Sequence, residues 1–297
     1  MVYRLLVGSI SNYDSWANYL VNNRPPPNFR KGDSLLVDFS CTWFLEPFHL
    51  VSLACLIEEY YLQGARVSFE SGGFALQKYL TNIEFYNYWE PGFDRHTFTH
   101  TMINTTLCLW KVSSGLIDSY ANQAREYFER NFFFGKDLEA LSITLKEVFN
   151  NIYDHSNSPV EGYVLTQYYP NKKEIVTSIC DFGLGIPTKL NEMWVESKGV
   201  KLSDTQALRA AFMRKVSSKS TPRNRGMGLS YLLTNVRVLR GSLRVFSNNA
   251  FLLHDMSNEL HIYKSNQCFP GTLININLKT ENLPQMEEEI EDQEFYF

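Results

Sequence analysis

Residues 138–185 read LEALSITLKEVFNNIYDHSNSPVEGYVLTQYYPNKKEIVTSICDFGLG, and the fold of the second half turns on this stretch. Apolar side chains fall at 138, 141, 145, 148, 149 and 152, which predicts an amphipathic helix over Leu138–Asp154. Two β-rich runs, Gly162–Tyr169 and Ile175–Asp181, flank PNKKE and read as strands joined by a hairpin turn. On the helix, Glu147, Asn151 and His155 recur every fourth residue, so they form a polar stripe that drifts by about 40° per step. A lone stripe of this kind is ordinarily a solvated face. The second strand ends in Asp181, followed by Gly183 and Gly185. A carboxylate at a strand end followed by glycines lets backbone come close to a planar ligand, although a plain Asp-Gly turn has the same spelling.

Downstream, residues 186–225 are polar, basic and weakly periodic, and read as a long loop. Gly226–Leu239 reads as a helix opened by Arg225-Gly226-Met227-Gly228-Leu229, a glycine-rich helix start of the kind that offers N–H groups to an anion. Ser242–Asn248, Phe251–His254, Leu260–Tyr263 and Thr272–Leu278 read as strands, the last opened by Gly271-Thr272. A helix, two strands, a long loop, a helix and further strands predict an α/β sandwich with one mixed, mainly antiparallel sheet. The tail MEEEIEDQEFYF is acidic and expected to fray.

Upstream the pattern changes. Val2–Ile10, Ser34–Phe39 and Arg66–Phe69 read as strands, and Tyr13–Asn22, Pro47–Leu62 and Leu76–Tyr88 as helices. Pro47 suits the first turn of its helix, where a missing N–H costs nothing. Alternating strands and helices predict a small α/β domain with parallel pairing. Thr101–Val112 reads as a strand crossing into the second domain and Ser119–Asn131 as a helix. The expected domains are 1–125 and 126–280, with 281–297 as an acidic tail.

The chain has 297 residues, 44% hydrophobic and 20% charged, enough to bury two cores and too apolar for global disorder. A net charge of -4 gives no sign of a nucleic-acid binder. Five widely spaced cysteines without a CxxC suggest neither a zinc site nor a disulfide framework, and read mostly as small buried residues. No apolar run is long enough for a secretory leader or a membrane span, so the expected location is cytoplasmic, away from membranes. GxxxxGK[ST] is missing, which excludes a P-loop.

Taken in order, the four segments around Glu147–Asn151, Asp181–Gly185, Arg225–Leu229 and Gly271–Thr272 resemble the N, G1, G2 and G3 boxes of the GHKL ATPase superfamily, whose nucleotide-binding domain is the Bergerat fold. The resemblance spans about residues 135–279, and EVFNNIYDHS looks most like the histidine-kinase and anti-sigma-kinase branch. It implies ATP and Mg²⁺ as cofactors. Asn151 would hold the metal through its amide oxygen, with phosphates and waters completing the shell. Glu147 would be the catalytic base toward water or a hydroxyl. Asp181 would accept the adenine amino group, Gly183 and Gly185 would leave room for the purine, and Thr272 would support the base-side hydrogen bonds. Gly226, Met227 and Gly228, with Arg225 and Leu229 beside them, would meet the phosphates. His155 would touch phosphate, and Lys219 would do so from a lid spanning Thr188–Arg225.

Residues 34–71, SLLVDFSCTWFLEPFHLVSLACLIEEYYLQGARVSFES, resemble a STAS-like domain of the anti-sigma-factor-antagonist type. Phosphoregulated members carry Ser or Thr at the helix start, where this chain has Glu46-Pro47, so that switch is not carried over. The domain then reads as a regulatory module for a protein partner. Three activities stay open: a slow Mg²⁺-dependent ATPase or nucleotide-driven switch, a serine/threonine kinase of the anti-sigma type, and a non-catalytic nucleotide-sensing module. The resemblance is also compatible with a homodimer.

Overall fold

A computed structural model describes residues 1–94, 105–112, 117–155, 158, 160–213, 228–255 and 259–286; in 151–155 and 228 the description extends to helical backbone alone. Two sheets organise the chain. Strands β1 (Val2–Leu6), β2 (Ser34–Asp38) and β3 (Arg66–Glu70) pair in parallel in the order β1-β2-β3. They are connected through helices α1 (Tyr13–Asn22) and α2 (Pro47–Leu62). Because the strands are added in one direction, right-handed crossovers place both helices on the same face. Leu5, Leu35, Val37 and Phe69 point to that face, while Arg4, Leu6 and Glu70 alternate to the opposite one. Asp38, also on that opposite face, is fully buried and paired with Arg4.

Local chemistry fixes the helix ends. Asn12 caps α1 by accepting from the Ser15 amide at 3.1 Å. At the start of α2, His49 Nδ1 accepts from the Glu46 amide at 3.0 Å and Nε2 reaches the Ile10 carbonyl at 2.6 Å. Burial pushes this imidazole down to about 4, so it is neutral and donates from Nε2. Helix α3 (Phe74–Asn82) ends sooner than its apolar pattern suggests, and a 3₁₀ turn, Tyr86–Trp89, replaces the rest.

The second sheet runs β4 (Trp110–Lys111), β5 (Tyr163–Tyr169), β6 (Glu174–Asp181), β8 (Leu260–Lys279), β7 (Ser242–His254), and every neighbouring pair is antiparallel. One face, with Val164, Ile179, Ile274, Ile276, Leu243 and Val245, packs under α4 (Ile117–Asn131), α5 (Glu139–His155) and α8 (Gly228–Val238). The other face, with Tyr163, Leu165, Cys180, Phe246 and Leu273, packs against α1 and α2. Helix α2 therefore lies between the two sheets, and 13 of its 16 residues are buried. The molecule is an α/β structure with one parallel and one antiparallel sheet that share this helix.

A buried carboxylate fastens the shared layer. Glu58 on α2 is fully buried and accepts from Trp89 Nε1 at 2.8 Å, Tyr163 OH at 3.0 Å and Lys111 Nζ at 3.1 Å. Three donors from three elements satisfy a charge that would otherwise oppose folding. β4 and α4 lie with the second sheet: Trp110 pairs with Val164 and stacks on Tyr120 in its core, where Phe149 meets both rings edge-on.

Several expectations are corrected. The long loop over 186–225 is in large part helical: α6 (Ile186–Lys198) and α7 (Asp204–Ala211) occupy most of 186–211. Residues 214–227 lie outside the described residues. The four C-terminal strand segments merge into two long strands, β7 bending at a register shift between Ser247 and Ala250. The strand expected over Thr101–Val112 shrinks to β4 and an isolated bridge at Thr106, with 101–104 outside the described residues. Three of the five cysteines are buried, Cys41 and Cys268 are exposed, and all are free. Among the described residues no helix is long and apolar enough to cross a membrane.

Candidate functional site

β6 ends at Asp181, whose partner on β8 is Thr272, and Thr272 in turn pairs with Ser247 on β7. Side chains alternate along a strand, so Asp181 shares a face with Ile179, Thr272 with Ile274, and Ser247 with Val245. All three therefore form one polar row on the face that carries α5 and α8. Thr272 Oγ1 and Ser247 Oγ lie 2.9 Å apart, and Ser247 Oγ is 2.9 Å from the Gly271 carbonyl.

Asp181 is 2% exposed. The Gly183 amide donates to its Oδ1 at 2.8 Å and is its one hydrogen-bond donor among the described residues. A carboxylate offers about four acceptor positions, so the described residues fill only a small part of its capacity. Burial pushes the carboxyl up to about 7, and the Gly183 amide pulls slightly the other way.

The backbone around it is held close. Gly271 has φ +128°, and a Cβ there would run into the Asp181 carbonyl and the Gly183 nitrogen. Gly185 has φ +81° and serves as the N-cap of α6. Two glycines thus let β6, β8 and the 183–185 turn approach more closely than side chains permit.

Glu147 is on α5, half-buried between the core residues Val148 and Phe149 and the surface, and burial raises its carboxyl above the ordinary value. Asn151 and His155 follow one and two turns later in the same helix. Gly228 and Leu229 are the first described residues of α8. Lys219, Arg225, Gly226 and Met227 lie outside the described residues. The structure thus brings Asp181, Gly183, Gly185 and Thr272 into one cluster, and sets Glu147 on a helix packed on the same sheet face.

Sequence reading missed Ser247 and Asn248. They read as the last two residues of the strand Ser242–Asn248, and nothing local shows that their side chains reach residues some 60 positions earlier. The helices α6 and α7 did carry signals. Ser203 and Gln206 form a reciprocal capping box, and Gly199 in the left-handed region stops α6.

A cleft of about 330 Å³ lies elsewhere, along β3, lined by Val67, Ser68, Phe69, Gln77, Tyr86 and Trp89. It shares no residue with the Asp181 row. Among the described residues no group of three or more His, Cys, Asp or Glu is placed to hold a metal ion. No protein-family model matches the chain, and no curated protein matches it.

Proposed function

We propose that the second unit, the antiparallel sheet with the helices α4, α5 and α8 on it, as against a first unit of the parallel sheet with α1 and α2, binds ATP with Mg²⁺, and acts as a slow ATPase or a nucleotide-driven conformational switch of the GHKL type. The observation that carries this is Asp181: a carboxyl 2% exposed, with a single amide donor among the described residues, at a strand end opened by glycines. Such a group is costly to bury and gains most from a ligand that brings N–H donors to it. An exocyclic amino group on a purine is a ligand of that chemistry. Thr272, beside Asp181 in the same row, offers its hydroxyl oxygen to the same edge of the base or to a water bridging to it, while the Ser247 hydroxyl is taken up by Gly271, Ile186 and Thr272.

Glu147, part-desolvated, keeps a carboxylate basic enough to take a proton from water or from a protein hydroxyl. In this reading Asn151 contributes an amide oxygen to Mg²⁺, and Arg225, Gly226, Met227, Gly228 and Leu229 serve the phosphates, joined by His155 and Lys219. The bound metal supplies charge neutralisation at those phosphates. The first unit lies on the back of β6, whose front carries Asp181, so a protein partner docked on it acts on the strand that holds the base.

The test is incubation of the full chain with γ-labelled ATP and Mg²⁺, alone and with candidate protein partners, beside calorimetric titration with ATP. Binding with phosphate release supports the ATPase, and label on a protein moves the assignment to a kinase. Binding without turnover leaves a sensor. Absence of heat with any adenine nucleotide refutes the nucleotide reading.

A further inference from the structure

The turn after Asp181 is held from outside by a side chain that the nucleotide reading does not use. Asn248 sits on β7 where the pairing with β8 loses register, and its φ of +49° lies in the left-handed region that Asn tolerates better than most residues. From there its amide reaches the 184–188 segment. Nδ2 donates to the Leu184 carbonyl at 3.0 Å, while Oδ1 accepts from the Thr188 amide at 3.2 Å and from Thr188 Oγ1 at 3.1 Å. Gly185 is packed so closely on this amide that a Cβ there would lie 2.6 Å from both Nδ2 and Oδ1.

The same contacts complete a helix end. Gly185 is the N-cap of α6 and has no side chain with which to cap it. The first-turn amides need acceptors nonetheless. Ser247 Oγ takes the Ile186 amide at 2.9 Å, Pro187 has no N–H, and Asn248 Oδ1 takes that of Thr188. Two consecutive residues of β7 therefore satisfy the Ile186 and Thr188 amides from another strand. One consequence is that the Ile186 and Thr188 amides are already taken and not offered to phosphate.

We infer that Asn248 is the positioning residue for base recognition: by fixing the turn from Leu184 to Thr188 it sets where Gly183 and the Asp181 carboxyl present themselves. The inference rests on the nucleotide reading of the site. It differs from a stability role in what it separates, because the base should feel the change and the phosphates should not.

The test uses the full chain and Asn248→Ala, with Thr188→Val as a milder variant should the first fail to fold. Amide exchange is followed at Ile186 and Thr188, with β5 as internal reference. Calorimetry is run in Mg²⁺ with ATP and with inorganic triphosphate, which has no base. Loss of the three hydrogen bonds should weaken ATP binding about tenfold, loss of the Thr188 hydroxyl about threefold, and triphosphate should bind each variant as it does the wild type. Exchange at Thr188 should rise about tenfold in Asn248→Ala while β5 stays protected. Equal loss for ATP and triphosphate, or ATP binding within about twofold of wild type despite faster exchange, overturns the positioning role. Unchanged exchange overturns the clamp itself, independently of any nucleotide. If the wild type binds neither ligand, the nucleotide reading fails and the positioning role falls with it.

Discussion

Replacing Asp181 with Asn should change the stability of the free protein in a pH-dependent way and, on the proposed nucleotide reading, weaken adenine recognition. Below the ordinary value of 3.8 both folded and unfolded chains hold the proton, and burying the group carries no ionisation cost. As pH rises past 3.8 the unfolded chain ionises while the folded one keeps its proton. Stability falls until pH passes the folded value of about 7, and is level beyond it. At ~1.4 kcal/mol per unit, the cost is roughly 1–2 kcal/mol at pH 5 and roughly 4–5 kcal/mol at pH 8. Asn has nearly the same volume, keeps an oxygen for the Gly183 amide and never ionises. Its buried NH₂ costs about 1–3 kcal/mol equally at both pH values, which cancels the gain at pH 5 and leaves one at pH 8. The diagnostic is therefore the change with pH: urea unfolding should show the variant gaining roughly 3 kcal/mol on the wild type between pH 5 and pH 8. A difference that does not change with pH, or one that shrinks as pH rises, would falsify the claim that a desolvated carboxyl sits there. Retained preference for ATP over GTP in the variant would remove its role at the base.

Other perturbations test the remaining parts. Glu147→Ala should keep ATP affinity and lower phosphate release by ~10²-fold or more, as expected for a general base; parallel loss of binding by calorimetry would argue against that role. Gly271→Ala places a Cβ against the Asp181 carbonyl and the Gly183 nitrogen at a φ of +128°, so denaturant unfolding should show a loss of about 3 kcal/mol or more. Glu58→Ala leaves Lys111, Trp89 and Tyr163 without their shared acceptor, and should cost about 3–5 kcal/mol in the same assay, with Glu58→Gln milder. Titration with a thiol reagent should find two reactive cysteines in the native chain, Cys41 ahead of Cys268, whose thiol burial pushes up, and all five after unfolding.

Much of the architecture was legible because it is written in local periodicity. Tyr13–Asn22 and Pro47–Leu62 form as their spacing and end residues dictate, and the strands at Ser34, Arg66, Tyr163 and Glu174 follow apolar runs bounded by turn residues. Asp181 and the glycines after it were likewise visible as a carboxylate at a strand end. The helices at 186–211 were hidden because their composition is polar and their apolar faces narrow, although Ser203, Gln206 and Gly199 marked their ends.

Tertiary structure alone decided three things. It placed α2 between the two sheets, so that one apolar helix serves both cores; a periodic pattern says that a face is buried, not against what. It showed the burial that lifts Asp181 to about 7, since the cost of a charge depends on the dielectric around it and not on its neighbours in the chain. And it brought Ser247 and Asn248 onto the turn after Asp181, because hydrogen bonds across some 60 residues are set by strand register, which no local stretch of the chain encodes.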